Sequence, residues 1–321
     1  MPHDNTTTMI TGGRGFIGVN LVDQLSPVGL VEILDNQKRC SPTGWQAQSV
    51  RLHQTDILQL GLAAKPFQGI GQIVHLAAYG SVVESIADPM ANFAVNVQGT
   101  LNVLRAAVDG GVGRLVFAST GGALIGDAAP PVNEQSLPKP ISPYGASKLC
   151  GEAYCHAFSN AYGLETVCLR FGNVYGPHSA HKKGAVTTFI KALMRDEPIV
   201  IYGDGSASRD YIHVEDLCAG IESALTMPVT GNEVFHLASG RETTVLQLAE
   251  LLRDIAGKPN HPIEFRPARQ GEVTRNFASC TKAREAMGFE PKWRLENGLA
   301  ATWEWFQRQG EAVLNAETTD S

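Results

Sequence analysis

Tyr144 and Lys148 stand four apart in Ser142-Pro143-Tyr144-Gly145-Ala146-Ser147-Lys148. Serine then proline is an N-cap with proline in the first turn, so the two side chains share one face of a helix that begins there. A phenol with a pKa near ~10 is a poor base at neutral pH, and a neighbouring ammonium is expected to favour its phenolate. Upstream, Leu115-Val116-Phe117-Ala118 follows glycine as a short apolar run and reads as a buried strand ending in the hydroxyls Ser119 and Thr120. A hydroxyl at a strand end can share a substrate proton with the phenol. Thr120, Tyr144 and Lys148 are thus a candidate acid–base centre. Tyr-x-x-x-Lys alone occurs by chance in many helices; the strand ending 24 residues before the tyrosine gives the pattern its weight.

A second pattern lies at the N-terminus. Thr6 to Thr11 is β-rich and runs into Gly12-Gly13-Arg14-Gly15-Phe16-Ile17-Gly18. A helix pattern follows, with Phe16, Val19, Val22 and Leu25, ended by Ser26-Pro27. Strand, glycine turn and helix together form a dinucleotide site, because bare backbone amides at a helix N-terminus can approach a pyrophosphate. The next strand, Leu30 to Leu34, ends at Asp35, 17 residues past Gly18. A carboxylate there accepts from an adenosine ribose hydroxyl and favours NAD over NADP.

The chain has 321 residues, 43% hydrophobic and 18% charged, enough for one large or two modest domains. With 26 basic and 32 acidic residues, the net charge of −6 argues against a nucleic-acid or anionic-membrane surface. The polar start MPHDNTTT has no signal-peptide core, and no apolar run approaches the roughly 20 residues of a membrane span. The six cysteines, Cys40, Cys150, Cys155, Cys168, Cys218 and Cys280, lack metal-ligand spacing and read as buried reduced thiols, as in a cytoplasmic protein. No metal site is expected.

The glycines are spaced G-x-x-G-x-x-G at Gly12, Gly15 and Gly18. With Tyr144 and Lys148, this chain resembles the short-chain dehydrogenase/reductase superfamily. Its length and its T-G-G-R-G-F-I-G form are similar to the extended branch, which handles nucleotide sugars. The resemblance runs from Thr8 to about Phe306. It implies that Gly12, Gly15, Phe16, Ile17, Gly18, Asp35 and Asn36 bind NAD, with Asp56 and Ile57 at the adenine. Leu76, Ala77 and Ala78, in a His-Leu-Ala-Ala motif, would pass along the pyrophosphate and nicotinamide ribose, and His75 before them reads as structural. Asn96, Ser119, Phe171 and Val174 join the implied cofactor set; similar proteins also use the asparagine to hold the active-site helix and loop. On the substrate side the resemblance implies Ser81, Ser85, Thr120, Gly121, Val186 and Tyr202. It adds Asn173 in Asn-Val-Tyr-Gly-Pro and Arg209 in Arg-Asp-Tyr-Ile-His-Val-Glu-Asp at the diphosphate. Arg269 and Glu272 in Arg-Gln-Gly-Glu would hold diphosphate and uridine ribose. The run His178 to Lys183 reads as a solvated basic loop. Asn276 falls where similar epimerases gate N-acetyl sugars, but it is neither their bulky tyrosine nor their small residue.

Strands alternate with helices to about residue 170, so the fold class is α/β, a doubly wound parallel sheet (a Rossmann-type NAD domain) with a smaller C-terminal substrate domain. Residues 1–172 form the NAD domain, with about 209–240 returning to it, and 173–321 are mainly the nucleotide-sugar domain. Similar epimerases carry the reactive hydroxyl five positions before the glycine that closes this loop. Here that position is Gly121, and Thr120 is the neighbouring hydroxyl. Similar dehydratases carry Thr-Asp-Glu in the loop and decarboxylases a Glu, yet no carboxylate occurs from Gly113 to Gly126. The expectation is therefore C4 epimerisation of a UDP-sugar, with Gly121 and Gly122 leaving room for the sugar to turn. A dehydratase, decarboxylase or reductase is the enzyme alternative. A non-catalytic NAD sensor is the alternative of another class, which usually lacks the Tyr/Lys pair. The broad apolar surfaces of the helix from Pro89 to Asp109 and of the tyrosine helix imply, by the same resemblance, a homodimer joined through a four-helix bundle.

Overall fold

The computed structural model describes residues 6–38, 40, 44–46, 50–60, 65–268 and 273–314. In chain order the first half runs β1 (Thr7–Thr11), α1 (Phe16–Leu25), β2 (Val31–Asp35), β3 (Arg51–Gln54), β4 (Ile70–His75), α2 (Val82–Ala87), α3 (Pro89–Phe93), a π-helical turn (Ala94–Gly99), α4 (Thr100–Asp109), β5 (Arg114–Thr120), α5 (Gly122–Ile125), α6 (Pro143–Tyr162) and β6 (Glu165–Phe171). The second half runs β7 (Asn173–Tyr175), α7 (Ala185–Met194), β8 (Ile199–Tyr202), β9 (Ser208–Arg209), β10 (Tyr211–His213), α8 (Val214–Thr226), β11 (Asn232–Leu237), β12 (Thr243–Thr244), α9 (Val245–Ile255), β13 (Ile263–Arg266), α10 (Thr281–Met287) and α11 (Leu295–Gln309).

Seven strands form one parallel sheet in the order β11-β6-β5-β4-β1-β2-β3. Parallel strands need helical crossovers, which cover both faces and demand apolar side chains on both. Alternate residues of each strand obey this. Ile10, Ile33, Val74 and Val116 pack with α1 and α8 on one face, whereas Met9, Leu34, Ile73, Leu115 and Phe117 pack with α4 and α6 on the other. A third core, with Phe189, Leu193, Ile199, Leu252, Trp303 and Phe306, joins α7, α9 and α11. The doubly wound sheet expected from the alternation of strands and helices is present. Among the described residues no helix is long and apolar enough to cross a membrane.

The strand order reverses between β1 and β4, so the crevice for a ligand opens at their carboxyl ends. His75 ends β4 there and is almost fully buried. Its Nδ1 lies 2.7 Å from the Thr11 hydroxyl of β1 and its Nε2 3.0 Å from the Thr100 hydroxyl of α4. It holds two strands and a helix in register, the structural role expected of it. Burial, aided by Lys148, pushes its pKa down to about 3.

His236, buried in β11, is likewise pushed down to about 3, first by burial. The unfolded chain binds protons at these rings from about pH 6.5 downward, while the folded chain resists them. Their contribution is fully present above pH 6.5 and is lost progressively as pH falls toward 3. Denaturant midpoints should therefore fall between pH 7 and pH 5, before carboxylates titrate. A midpoint constant across that interval would contradict the neutral, buried state of both rings.

Candidate active site

Ser142 caps α6, its hydroxyl accepting from the Gly145 amide at 3.2 Å, and Pro143 occupies the first turn. The helix start falls where the sequence placed it. A Cβ on Gly145 would overlap the Ala123 carbonyl oxygen, so this end of α6 lies directly on α5. That contact carries Tyr144 to the end of β5, where its phenol lies beside the Thr120 hydroxyl. One turn on, the Lys148 ammonium donates to the Ala118 carbonyl at 2.8 Å and lies 4.9 Å from the centre of the Phe117 ring. The three expected side chains meet.

Their electrostatics differ from expectation. Burial raises the Tyr144 phenol to about 12, with the Thr120 hydroxyl pulling it back, and the lysine is not among its causes. The ammonium is turned to a backbone carbonyl instead of the phenol. Burial also lowers Lys148 to about 8, against the opposite pull of Cys155 and Glu152 and with a further lowering from Lys182. In this arrangement the phenol is protonated near neutral pH.

Ser119, expected beside the cofactor, is buried and donates to Glu152 at 2.6 Å. Glu152 is in turn gripped by Arg170 of β6 through two hydrogen bonds of 2.9 and 2.8 Å. The tyrosine and lysine spacing concealed this network, although Glu152 is one more helical turn along the same face. Ser85, expected at the substrate, is also buried; its hydroxyl donates to Val82 and accepts from the Tyr144 amide at 3.1 Å. It orients the tyrosine helix. Ser81 caps α2, accepting from the Glu84 amide. Asn96 lies in the π-helical turn, a feature that often marks functional positions. Its amide accepts from the Tyr79 backbone at 2.8 Å and donates to Tyr79 and to Ser147, both at 3.0 Å. With 1% exposure it ties the β4 loop to α6 and presents no face to a ligand.

Gly121 and Gly122 do not leave open room. Gly121 is buried. A Cβ there would stand 3.2 Å from His236 Nδ1, and one on Gly122 3.0 Å from the Asn276 amide carbon. The glycines admit these two side chains against the backbone. Val186 is buried in the third core. Tyr202 is bonded to Arg266. β7 pairs with β10 and the Asn173 amide donates to the Asp210 carbonyl at 2.7 Å, which sets Asn173 beside the segment that follows Arg209, the last residue of β9. Asp210, between β9 and β10, is buried and accepts from Ser239, Gly240 and Ala278, while the Arg209 guanidinium donates to the Ser208 carbonyl at 2.8 Å. Arg269 and Glu272 lie outside the described residues.

Residues 8–238 match the model of the NAD dependent epimerase/dehydratase family. The chain belongs to that family. It is 34% identical over 313 residues to the UDP-glucose 4-epimerase of Mycolicibacterium smegmatis, covering 95% of this chain and 99% of that one. Among solved structures, the Thermotoga maritima UDP-glucose 4-epimerase with UDP-glucose superposes with a TM-score of 0.90 at 35% identity, covering 94% of this chain and 99% of that chain. The Thermus thermophilus UDP-glucose 4-epimerase complex with NAD gives 0.86 at 32%, with the same coverage.

NAD is the cofactor of this family, and the crevice of this member fits it. Gly12 has φ of +70°, and a Cβ there would stand 2.7 Å from the Ala77 amide nitrogen. Gly12 thereby lets the turn after β1 lie directly against the backbone of the Leu76-Ala77-Ala78 loop. Gly15 precedes α1 with no side-chain cap, so the first amides of that helix, at Phe16, Ile17 and Gly18, face an anion unopposed. Asp35 ends β2, and its carboxylate accepts from the Arg14 and Gln37 amides at 3.0 and 2.6 Å, leaving lone pairs for a ribose diol. Beyond it Asn36 donates to Asp56, which caps the turn at Ile57 and also accepts from the Leu58 amide. Phe171 ends β6 at the carboxyl edge of the sheet, and Val174 lies in β7.

An Asp35→Ala variant should bind NAD less tightly and narrow its preference over NADP, because the carboxylate that repels a 2′-phosphate is gone. Titration of both dinucleotides into wild type and variant measures it. Equal binding of NADP and NAD by the wild type would remove Asp35 from the ribose.

Proposed function

We propose that the chain interconverts the C4 epimers of a UDP-sugar through a transient 4-keto sugar. The observation that carries this reading is the placing of the Tyr144 phenol beside Thr120 at the end of β5, in a loop free of carboxylates from Gly113 to Gly126. Elimination of a 6-hydroxyl calls for an acid at C6, and that loop holds none. NAD, when bound, supplies the acceptor and donor of the C4 hydride. The chain's residues do the rest. The buried phenol is protonated on its own, and the positive charges of Lys148 and of a bound oxidised nicotinamide would favour its phenolate. As phenolate, Tyr144 takes the 4-hydroxyl proton, which Thr120 shares, and returns it, so one pair serves both directions. Lys148 places a positive charge one turn behind the phenol. Asn173 and Arg209 hold the diphosphate, the guanidinium matching phosphate geometry. Arg269 and Glu272 are proposed to complete that anchor. The intact Tyr144 and Lys148 disfavour a sensor without catalysis.

Tyr144→Phe keeps the ring and removes one oxygen. Turnover should fall about 10²–10⁴-fold, the usual worth of a general acid–base group, with UDP-sugar binding retained. Lys148→Ala should cost at least as much and Thr120→Val less. In deuterated water the wild-type products should be the C4 epimer pair with protium kept at C4. Proton NMR reads this directly; a 6-deoxy signal, a pentose or deuterium at C4 would replace the epimerase reading with a dehydratase, a decarboxylase or exchange chemistry.

We further propose a homodimer joined through the helix from Pro89 to Asp109 and α6. Met90 and Phe93 on the first of these are 73% and 53% exposed, more apolar surface than a lone helix end requires. Light scattering at micromolar concentration should give twice the chain mass, and a monomer there would overturn it.

A further inference from the structure

The hydrogen bonds around His75 run in one direction. The Thr100 hydroxyl lies 2.6 Å from the Asn96 carbonyl oxygen, which can only accept, so its single proton is spent there. The Thr100 oxygen therefore accepts from His75 Nε2 at 3.0 Å, and the ring carries its proton on Nε2. A neutral imidazole has one N–H, and this ring is buried and neutral beside the Lys148 ammonium. Its Nδ1 is thus bare and accepts from the Thr11 hydroxyl at 2.7 Å. The Thr11 oxygen in turn accepts from the Ala77 amide at 3.3 Å. Every proton in the row is used once.

The row joins the cofactor crevice to the tyrosine. At one end Thr11 closes β1 just before the Gly12 turn, and Ala77 lies in the loop packed against that turn. At the other end the Asn96 carbonyl sits in the π-helical turn. There the Thr100 amide bonds to the Val97 carbonyl, and the Thr100 hydroxyl serves Asn96 instead. The Asn96 side chain donates to the Ser147 hydroxyl at 3.0 Å, and Ser147 donates to the Tyr144 carbonyl at 2.8 Å. Ser85 holds the amide of the same tyrosine at 3.1 Å. Tyr144 is therefore clamped at its amide and its carbonyl, and one of the two clamps leads back to His75.

We propose that His75, as its Nε2–H tautomer, is a positioning residue for the reaction: through Thr100, Asn96 and Ser147 it fixes Tyr144 relative to the NAD crevice. The inference rests on the epimerase reading above and adds to it. The hydride leaves C4 and the proton leaves the oxygen on C4, so phenol and cofactor must keep a fixed separation. A row of bonds from the crevice wall to the tyrosine's own carbonyl maintains it. A misplacement of about 1 Å can cost about 10²-fold in rate.

The test uses the full-length, NAD-loaded protein. Nitrogen NMR of histidine-labelled protein should show one ring with a protonated Nε2 and a bare Nδ1 whose signals shift in Thr100→Val. Replacing His75 would remove a buried ring, so Thr100→Val, which removes a hydroxyl and keeps the branched shape, carries the kinetic arm. It should lower kcat for UDP-glucose about 10- to 100-fold with KM within about twofold, and Thr100→Ser should restore most of the rate. Amide exchange at Tyr144 and Gly145 should quicken roughly tenfold in Thr100→Val and stay at the wild-type rate in Thr100→Ser. A proton on Nδ1 would reverse the row and overturn the proposal. So would a Thr100→Val protein that loses thermal stability but keeps kcat, a rise in KM alone, or a Thr100→Ser protein as slow as Thr100→Val. The exchange arm is read apart from turnover. A protein that epimerises no UDP-sugar, yet shows the Nε2 proton and the quickened Tyr144 exchange, would sink the epimerase reading alone. One that epimerises UDP-glucose, with kcat and exchange untouched in Thr100→Val, would sink only this inference.

Discussion

The buried ion pair between Glu152 and Arg170 underlies the rest of the site. The two side chains are 8% and 6% exposed and meet through two parallel hydrogen bonds, with Ser119 donating to the same carboxylate. One network thereby fixes α6 against β5 and β6 directly behind Thr120, Tyr144 and Lys148. Removing one partner of such a pair typically costs about 3–5 kcal/mol, because the other charge stays buried without compensation. Here the cost would fall on geometry as well, since two of the three elements it joins, β5 and α6, carry Thr120, Tyr144 and Lys148.

Close backbone approach does the remaining work of placement. Gly145 lets α6 rest on the Ala123 carbonyl, and Gly12 lets the β1 turn rest on the Ala77 amide. In the first case the contact brings a phenol to a strand end. In the second it leaves a crevice walled by amides, which suits a pyrophosphate. Between them Asn96, with its amide saturated by Tyr79 and Ser147, joins the cofactor crevice to the catalytic helix. Residues that a motif suggests as ligand contacts are here the fastening of one wall to another.

In the second half of the chain, short strand pairs place the residues proposed to hold the substrate's diphosphate. The pairing of β7 with β10 sets Asn173 beside the strand that follows Arg209, and Asp210 turns inward to hold the Ser239-Gly240 turn. The loop after β7 reaches across to Gly80 and Glu84, joining elements of the two halves.

The chain order of apolar runs, glycines and caps determined the doubly wound sheet, the start of α6, the alignment of Tyr144 with Lys148 and the position of Asp35. These depend on local periodicity and on turn chemistry, which short stretches carry in full. Only the tertiary structure decided where Lys148 points, that Ser119, Ser85 and Asn96 bond protein, that His236 and Asn276 fill the space beside Gly121 and Gly122, and that Lys182 stands over Gly80. Each of these is a contact between residues distant in the chain. Burial and hydrogen-bond competition settle such contacts, and neither can be read until the strands and helices have been brought together.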